Sequence, residues 1–255
     1  MARIPIGLEL YSVRHELDKD VYGTLKAVAD MGYEGVEFAG APKHSARVLR
    51  AILDEVGLVC CGWHIPYNLV QADRLEETIA FQKTVGNRRL IIPGVQARSR
   101  QDWRDFAVFL NDLTEKLAPH DMKTGYHNHV QEFVEVDGEQ PWDTLFGNTG
   151  RRVIMQLDIG NAYAGGADCV DILKRYPGRA GTVHLKSYSI EEGKKDRKLG
   201  YRPLLGDDGL PWEPIFELCE SIGDTDWYIV EYESDAYPPM EAVERFLKKI
   251  KAMGR

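Results

Sequence analysis

The sequence predicts an α/β protein, a (β/α)8 TIM barrel forming a single domain over residues 1–255, and three observations carry that expectation. Short apolar runs alternate with amphipathic segments along the whole chain, never giving way to consecutive hairpins or a block of helices. There are eight such runs, spaced about 30 residues apart. No GxGxxG fingerprint follows the first of them, which disfavours an open doubly wound sheet.

The first strand is expected at 4–11 (IPIGLELY) and the second at 35–39 (GVEFA). After the second, Val48, Leu49, Ile52, Leu53 and Val56 recur at three- and four-residue steps, giving one helical stripe. Gly57 follows where a helix end favours a left-handed residue. The third and fourth strands are expected at 58–65 (LVCCGWHI) and 89–93 (RLIIP). Trp103, Phe106, Leu110, Leu113 and Leu117 then mark the next apolar stripe. The fifth strand, 123–129 (KTGYHNH), precedes a short helix around Pro141 to Phe146. The sixth, seventh and eighth, at 153–159 (VIMQLDI), 181–187 (GTVHLKS) and 227–233 (WYIVEYE), complete the set. The connection from Ser187 to Pro211 is longer than the usual few residues and carries GKKDRK; it reads equally as a solvated excursion or as a lid.

Composition narrows the function classes. Hydrophobic residues make up 44% of the chain, enough for a sizeable core. The formal charge of −8 argues against a broad basic face for nucleic acid or anionic lipid. Cys60, Cys61, Cys169 and Cys219 show no CxxC spacing and read as reduced thiols. The N-terminus lacks a signal peptide's apolar run, and no stretch reaches the roughly 20 apolar residues of a membrane span. A cytoplasmic protein without membrane or nucleic-acid partners is expected; its oligomeric state, a homo-oligomer included, is left open.

Chemistry in a parallel barrel collects where the strands end at their C-termini, because the loops there surround one cavity. Those ends carry Glu9, Glu37, His64, Pro93, His127 and His129, Asp158, His184 with Lys186, and Glu231 with Glu233. Seven of the eight can ligate a metal or move a proton. Alternation puts Gln156 with Asp158, Thr182 with His184 and Lys186, Glu231 with Glu233, and His127 with His129. Each residue alone has a duller reading, as a loop carboxylate or a hydrogen-bonded core histidine. Together, carboxylates converging in a confined mouth repel one another unless a cation compensates them. Asp158, His184 and Glu231 offer oxygen, nitrogen and oxygen ligands, a set that suits Mn, Zn, Co or Mg. The fourth ligand is sought in or just after the fifth strand, in GYHNHVQEF (125–133).

The order and spacing of GLELYSVR, MGYEGVEFAG, GWHIP, GYHNHVQEF, QLDIGNA, VHLKS, GDDGLPW and VEYES resemble the xylose isomerase-like barrels. The resemblance is to the sugar phosphate isomerase/epimerase group in particular, which shares its fold with ketose epimerases, inosose dehydratase and endonuclease IV. It covers essentially the whole chain. It implies a metal bound by a glutamate from strand five, Asp158, His184 and Glu231. Glu132 is the expected strand-five ligand, with His127 or His129 as rivals. Two further departures, Ser187 in VHLKS and Asn161 in QLDIGNA, bear on the substrate more than on the metal.

The implied activity is a divalent-metal-dependent isomerase or epimerase working on a sugar or keto-sugar through an enediolate. Glu132 and Glu231 would serve as its acid/base pair, and His64 and Lys186 would contact the substrate's hydroxyls or carbonyl. Glu9, Glu37, His127, His129, Asn161 and Glu233 would line the substrate. A dehydratase or lyase acting on a keto-sugar, keto-glycoside or inosose would use the same metal site and is the alternative. An endonuclease IV-like repair enzyme is disfavoured by the negative charge, and a metal-free sugar-binding barrel by the retained ligand set.

Overall fold

The computed structural model describes residues 3–255. Eight strands, β1 (Ile6–Glu9), β2 (Gly35–Ala39), β3 (Val59–His64), β4 (Arg89–Ile92), β5 (Lys123–His127), β6 (Ile154–Asp158), β7 (Thr182–Leu185) and β8 (Trp227–Val230), pair in parallel in chain order. The barrel closes where β1 meets β8, with Ile6 opposite Tyr228 and Leu8 opposite Val230.

All eight expected strands are present, and several stop earlier than the apolar runs suggest. The cause is local: polar side chains at the strand ends take up the next backbone groups and turn the chain out of the sheet. Glu9 accepts from the amide of Tyr11, and residues Leu10–Val13 form a 3-10 turn where strand was expected. Asp158 accepts from the amide of Asn161 and opens the next helix. Strand β5 ends at His127, leaving His129 in the loop, and β8 ends at Val230, one residue before Glu231.

The helices α1 (Arg14–Lys19), α2 (Val21–Met31), α3 (Ala46–Val56), α4 (Leu75–Val85), α5 (Arg100–Leu117) and α6 (Pro141–Gly147) cover the first half of the barrel. Ser45 caps α3, which ends on Gly57 at φ 77°, a conformation that costs glycine little. Its buried stripe is narrower than expected, since Leu49 and Leu53 are buried while Val48 is exposed. Helix α5 begins with a capping box between Ser99 and Asp102, and all five residues of its predicted stripe are buried.

Two short helices, α7 (Ile159–Ala164) and α8 (Cys169–Arg175), join β6 to β7. The long connection after β7 contains α9 (Ile190–Lys195) and α10 (Arg197–Gly200), and α11 (Trp212–Ser221) and α12 (Pro239–Ala252) finish the outer layer. The four cysteines are buried and unbridged. Among the described residues no helix is long and apolar enough to cross a membrane.

Alternation sorts each strand into two environments. The outward set, including Leu8, Val36, Trp63, Leu90, Tyr126, Leu157, Val183 and Val230, joins the helices in the apolar core. The inward set changes from small or apolar residues such as Gly7, Gly125, Ile154 and Ile229 to Glu9, His127, Gln156, Asp158 and Glu231 toward the C-terminal ends. An extra residue in β3, at the register shift opposite Val36 and Glu37, keeps His64 inward opposite Ala39.

Candidate metal centre and active site

Ten of the polar residues named from the sequence are strand-end groups, and the structure draws most of them into one buried network. Glu9, Glu37, Asp158 and His184 have no exposed surface, and His64, His127, Lys186 and Glu231 are at most 6% exposed. Ligand atoms of His127, Asp158, His184 and Glu231 lie within 4.8 Å of one another. Atoms bound to one ion at about 2.0–2.2 Å can be no more than about 4.4 Å apart. Shifts of a few tenths of an ångström would therefore suit these four to a single divalent cation.

His184 stands at the centre. Its Nδ1 is 2.7 Å from Glu231 Oε2 and its Nε2 is 2.6 Å from Glu37 Oε2. Burial alone would lower its pKa, but the two carboxylates outweigh burial and raise it to about 10. The ring is thus an imidazolium bridging two anions. With a cation on the Glu231 side, the remaining N–H would still point at Glu37, the carboxylate–histidine pairing that fixes a ligand ring's orientation. Room for Glu37 comes from β3: a Cβ on Gly62 would lie 2.1 Å from Glu37 Oε1.

Glu37 and Glu9 extend the network from the other side of His184. Burial would raise Glu37, yet the His64 and His184 imidazoles pull it down to about 2. Glu9 is pushed well above the carboxylate range by burial and by the Glu37 and Glu231 charges. One of its oxygens accepts from Tyr11, while Oε2 makes no hydrogen bond among the described residues and lies 3.9 Å from His64 Nδ1. The pKa of His64 is lowered, chiefly by burial, against the pull of Glu37. His127 is held well below the usual imidazole range by burial and by His184 and His64. Glu9, Glu37 and His64, expected to line the substrate or act on it, also bring ligand atoms within 4.8 Å of one another and of His184, so the two groups of four share that histidine.

Gln156, which strand alternation put beside Asp158 but whose role was not anticipated, joins the two groups. Its Oε1 lies 2.6 Å from His64 Nε2 and 3.1 Å from His127 Nδ1, and its Nε2 donates to Glu37 and to Thr182. Accepting from Nδ1 leaves the Nε2 of His127 free of a proton and turned toward Asp158 Oδ2, 3.8 Å away. Asn128 ties β5 to β6 by accepting from the Asp158 amide and donating to the Asp158 carbonyl. That contact explains the asparagine of the HNH triplet as structural.

Glu132 is the main correction. It lies outside the ligand groups: its Oε1 accepts from the Tyr126 hydroxyl at 2.6 Å and its Oε2 from the His129 amide at 2.8 Å. Tyr126 is on the outward face of β5, packed edge-on to Trp103 and Phe106. Because β5 stops at His127, the chain turns and carries Glu132 to that outer side. Of the strand-five candidates, His127 is the one whose ligand atom lies within 4.8 Å of those of Asp158, His184 and Glu231. Glu132→Gln should accordingly lower stability by about 1–3 kcal/mol, through weakened buried hydrogen bonds. Chemical denaturation should detect the loss while metal content stays at the wild-type level.

Lys186 provides the compensating cation above the ligand groups. Its Nζ lies 2.9 Å from Glu231 Oε1, 2.6 Å from Glu233 Oε2 and 3.9 Å from Asp158 Oδ2. Burial opposes the charge, but these carboxylates raise its pKa well above the usual value. Burial would likewise raise Glu231, which Lys186 and His184 instead hold well below the carboxylate range. Asp158 goes the other way, raised by burial to about 8 despite Lys186.

These directions fix a proton linkage. Asp158 and His184 both hold a proton near neutral pH, and both must lose it to ligate a cation, so affinity rises with pH. Between about pH 6 and 8, calorimetry in buffers of different ionisation enthalpy should record release of about two protons per Mn2+ bound. A pH-independent affinity would contradict the assigned protonation states.

The mouth above Lys186 is a cavity of about 640 Å³ whose lining includes His129, Asn161, Lys186, Tyr201, Arg202 and Glu233. His129 is partly buried, and its Nδ1 has no partner among the described residues. The long connection after β7 supplies one wall, so it contributes to the site instead of running free over the surface. Sequence reasoning missed Tyr201 because that connection has no periodicity to orient its side chains.

A family model described as a xylose isomerase-like TIM barrel matches residues 25–253. The chain is 25% identical to the rhizopine catabolism protein MocC of Rhizobium meliloti, over 83% of this chain and 74% of that protein. It is 30% identical to an inosose dehydratase of Clostridium botulinum, over 82% of each. Matches to two other inosose dehydratases span 52% and 49% of their lengths. A solved sugar phosphate isomerase/epimerase from Parabacteroides distasonis superimposes with a TM-score of 0.82 at 22% identity, over 98% of each chain, and shows the shared fold.

Proposed function

We propose, because the chain belongs to the xylose isomerase-like TIM barrel family, that it is a metal-dependent sugar-modifying enzyme. Its reaction is the dehydration of a keto-cyclitol or keto-sugar. The observation that carries dehydration over epimerisation is the location of Glu132. Epimerisation by a pair of glutamates needs one on each side of the reacting carbon, and Glu132 is bonded to Tyr126 outside the barrel interior. Elimination of water needs one group that takes a proton and returns it to the departing hydroxyl. The inosose dehydratase relatives support the same reading.

His127, Asp158, His184 and Glu231 would hold the divalent ion. Bound there, it would polarise the substrate carbonyl and supply several kcal/mol of stabilisation to negative charge developing on that oxygen. Lys186 adds a fixed positive charge on the cavity side, kept in place by Glu231 and Glu233. The imidazole of His129, which lines the cavity, takes the proton from the carbon next to the carbonyl. The C–H electron pair forms the new carbon–carbon double bond as the β C–O bond breaks. The departing hydroxyl takes the proton from His129 and leaves as water, so an α,β-unsaturated ketone and one water balance the substrate. A positioned base of this kind contributes about 10² to 10⁴ in rate.

The test is incubation with inososes and ketoses in deuterated water with added Mn2+. Dehydration gives an absorbing conjugated product, with deuterium entering recovered substrate only if proton removal is reversible. Deuterium uptake with inversion and no loss of water would return the reading to epimerisation. Absence of both from a Mn2+-loaded protein across the series would remove enolisation as its chemistry.

A further inference from the structure

Tyr201 lies at the end of α10, on the connection that walls the cavity, far in sequence from the strands that carry the metal centre. Its hydroxyl nevertheless donates to Asn161 Oδ1 at 2.9 Å. Asn161 in turn holds Asp158 twice, its amide 2.7 Å from Oδ1 and its Nδ2 3.0 Å from Oδ2. The Asn161 Nδ2 also approaches the Asn128 carbonyl at 3.4 Å.

The chemistry of the side-chain amide gives this chain a direction. Asp158 must be ionised to ligate a cation, and an ionised carboxylate only accepts hydrogen bonds, so in the cation-bound state Asn161 must show it Nδ2 and not Oδ1. Occupying Oδ1 with a hydroxyl donor is what fixes that choice. Without the phenol, rotation of the amide would bring oxygen against oxygen at Asp158. The ring of Tyr201 meanwhile lies 5.5 Å from Lys186 Nζ, and it packs on Tyr188 with centroids 4.9 Å apart. The base of the connection is pinned by the Ser189 amide, which donates to the Gly200 carbonyl at 2.8 Å.

We propose that Tyr201 is a positioning residue that ties the segment walling the mouth to Asp158 through Asn161, so that closure of that wall and cation binding favour one another. The inference rests on the metal reading above. It makes the segment from Tyr188 to Arg202 a sensor of the centre's occupancy, and linkage requires the effect to be reciprocal.

The test uses the full chain as wild type, Tyr201→Phe, Asn161→Ala and the double variant, with Mn2+ as the probe. Isothermal calorimetry gives the affinities, and amide hydrogen exchange over residues 188–202 is followed with and without Mn2+. Tyr201→Phe keeps the ring and should weaken Mn2+ binding about 3- to 10-fold, the size of one hydrogen bond. Asn161→Ala should weaken it about 10- to 100-fold, as for loss of a group that orients a ligand. Since Tyr201 acts through Asn161, the double variant should bind no more weakly than Asn161→Ala. Mn2+ should slow exchange of the segment in the wild type and leave it unchanged in Asn161→Ala. Wild-type affinity in Tyr201→Phe, or losses that multiply in the double variant, would overturn the inference alone. A wild type without affinity for Mn2+ would remove the metal reading and the inference with it.

Discussion

His184→Ala is expected to purify without a stoichiometric divalent cation and to lose turnover by about 10³-fold or more, the scale of several kcal/mol of transition-state stabilisation. The substitution removes one of four ligand groups and also the cation that separates Glu37 from Glu231. Two buried carboxylates then lack their shared partner, which costs about 3–5 kcal/mol when a buried pair is broken from one side. Elemental analysis and urea unfolding read the two effects separately. A folded His184→Ala protein with full metal content would show that the centre is built elsewhere.

Lys186→Met should produce the second large effect, and a different pattern. Methionine preserves much of the stem's packing but leaves Glu231, Glu233 and Asp158 without the ammonium that now faces them. Stability without added metal should fall by about 3–5 kcal/mol. A divalent ion can replace part of the lost charge, so Mn2+ at about 100 times its dissociation constant should return about 2.7 kcal/mol. Turnover should stay down by about 10² to 10³-fold, because the ion restores charge at the ligand groups and not at the cavity-facing position of Nζ. Full recovery of turnover with Mn2+ would reduce Lys186 to a structural counter-ion.

The barrel was legible because its signal is repeated: eight apolar runs at even spacing cannot be rearranged without losing the pattern. Asp158 and His184 were legible for the same reason, each standing at a strand's end on a face defined by alternation. Glu132 was misplaced because alternation holds only while the strand lasts. Strand β5 stops at His127, and nothing in GYHNHVQEF announces that Asn128 will clamp β6 and turn the chain. Glu9 and Glu37 were found as polar strand ends, but alternation does not say which strand ends gather around one point, and the structure gives two such groups sharing His184. Gln156 could have been found: an amide flanked by Met155 and Leu157, two residues before Asp158, is a buried polar group in need of partners. Tyr201 could not, since its contact with Asn161 depends on how an aperiodic segment folds back over the mouth.

The most direct measurement of the central claim is pulsed electron paramagnetic resonance of the Mn2+-loaded protein, which detects nitrogen bonded to the ion. Two imidazole couplings are expected in the wild type, from His127 and His184, and one in His127→Gln, with Glu132→Gln unchanged from wild type. A spectrum without imidazole coupling, or one altered by Glu132→Gln and not by His127→Gln, would contradict the centre described above.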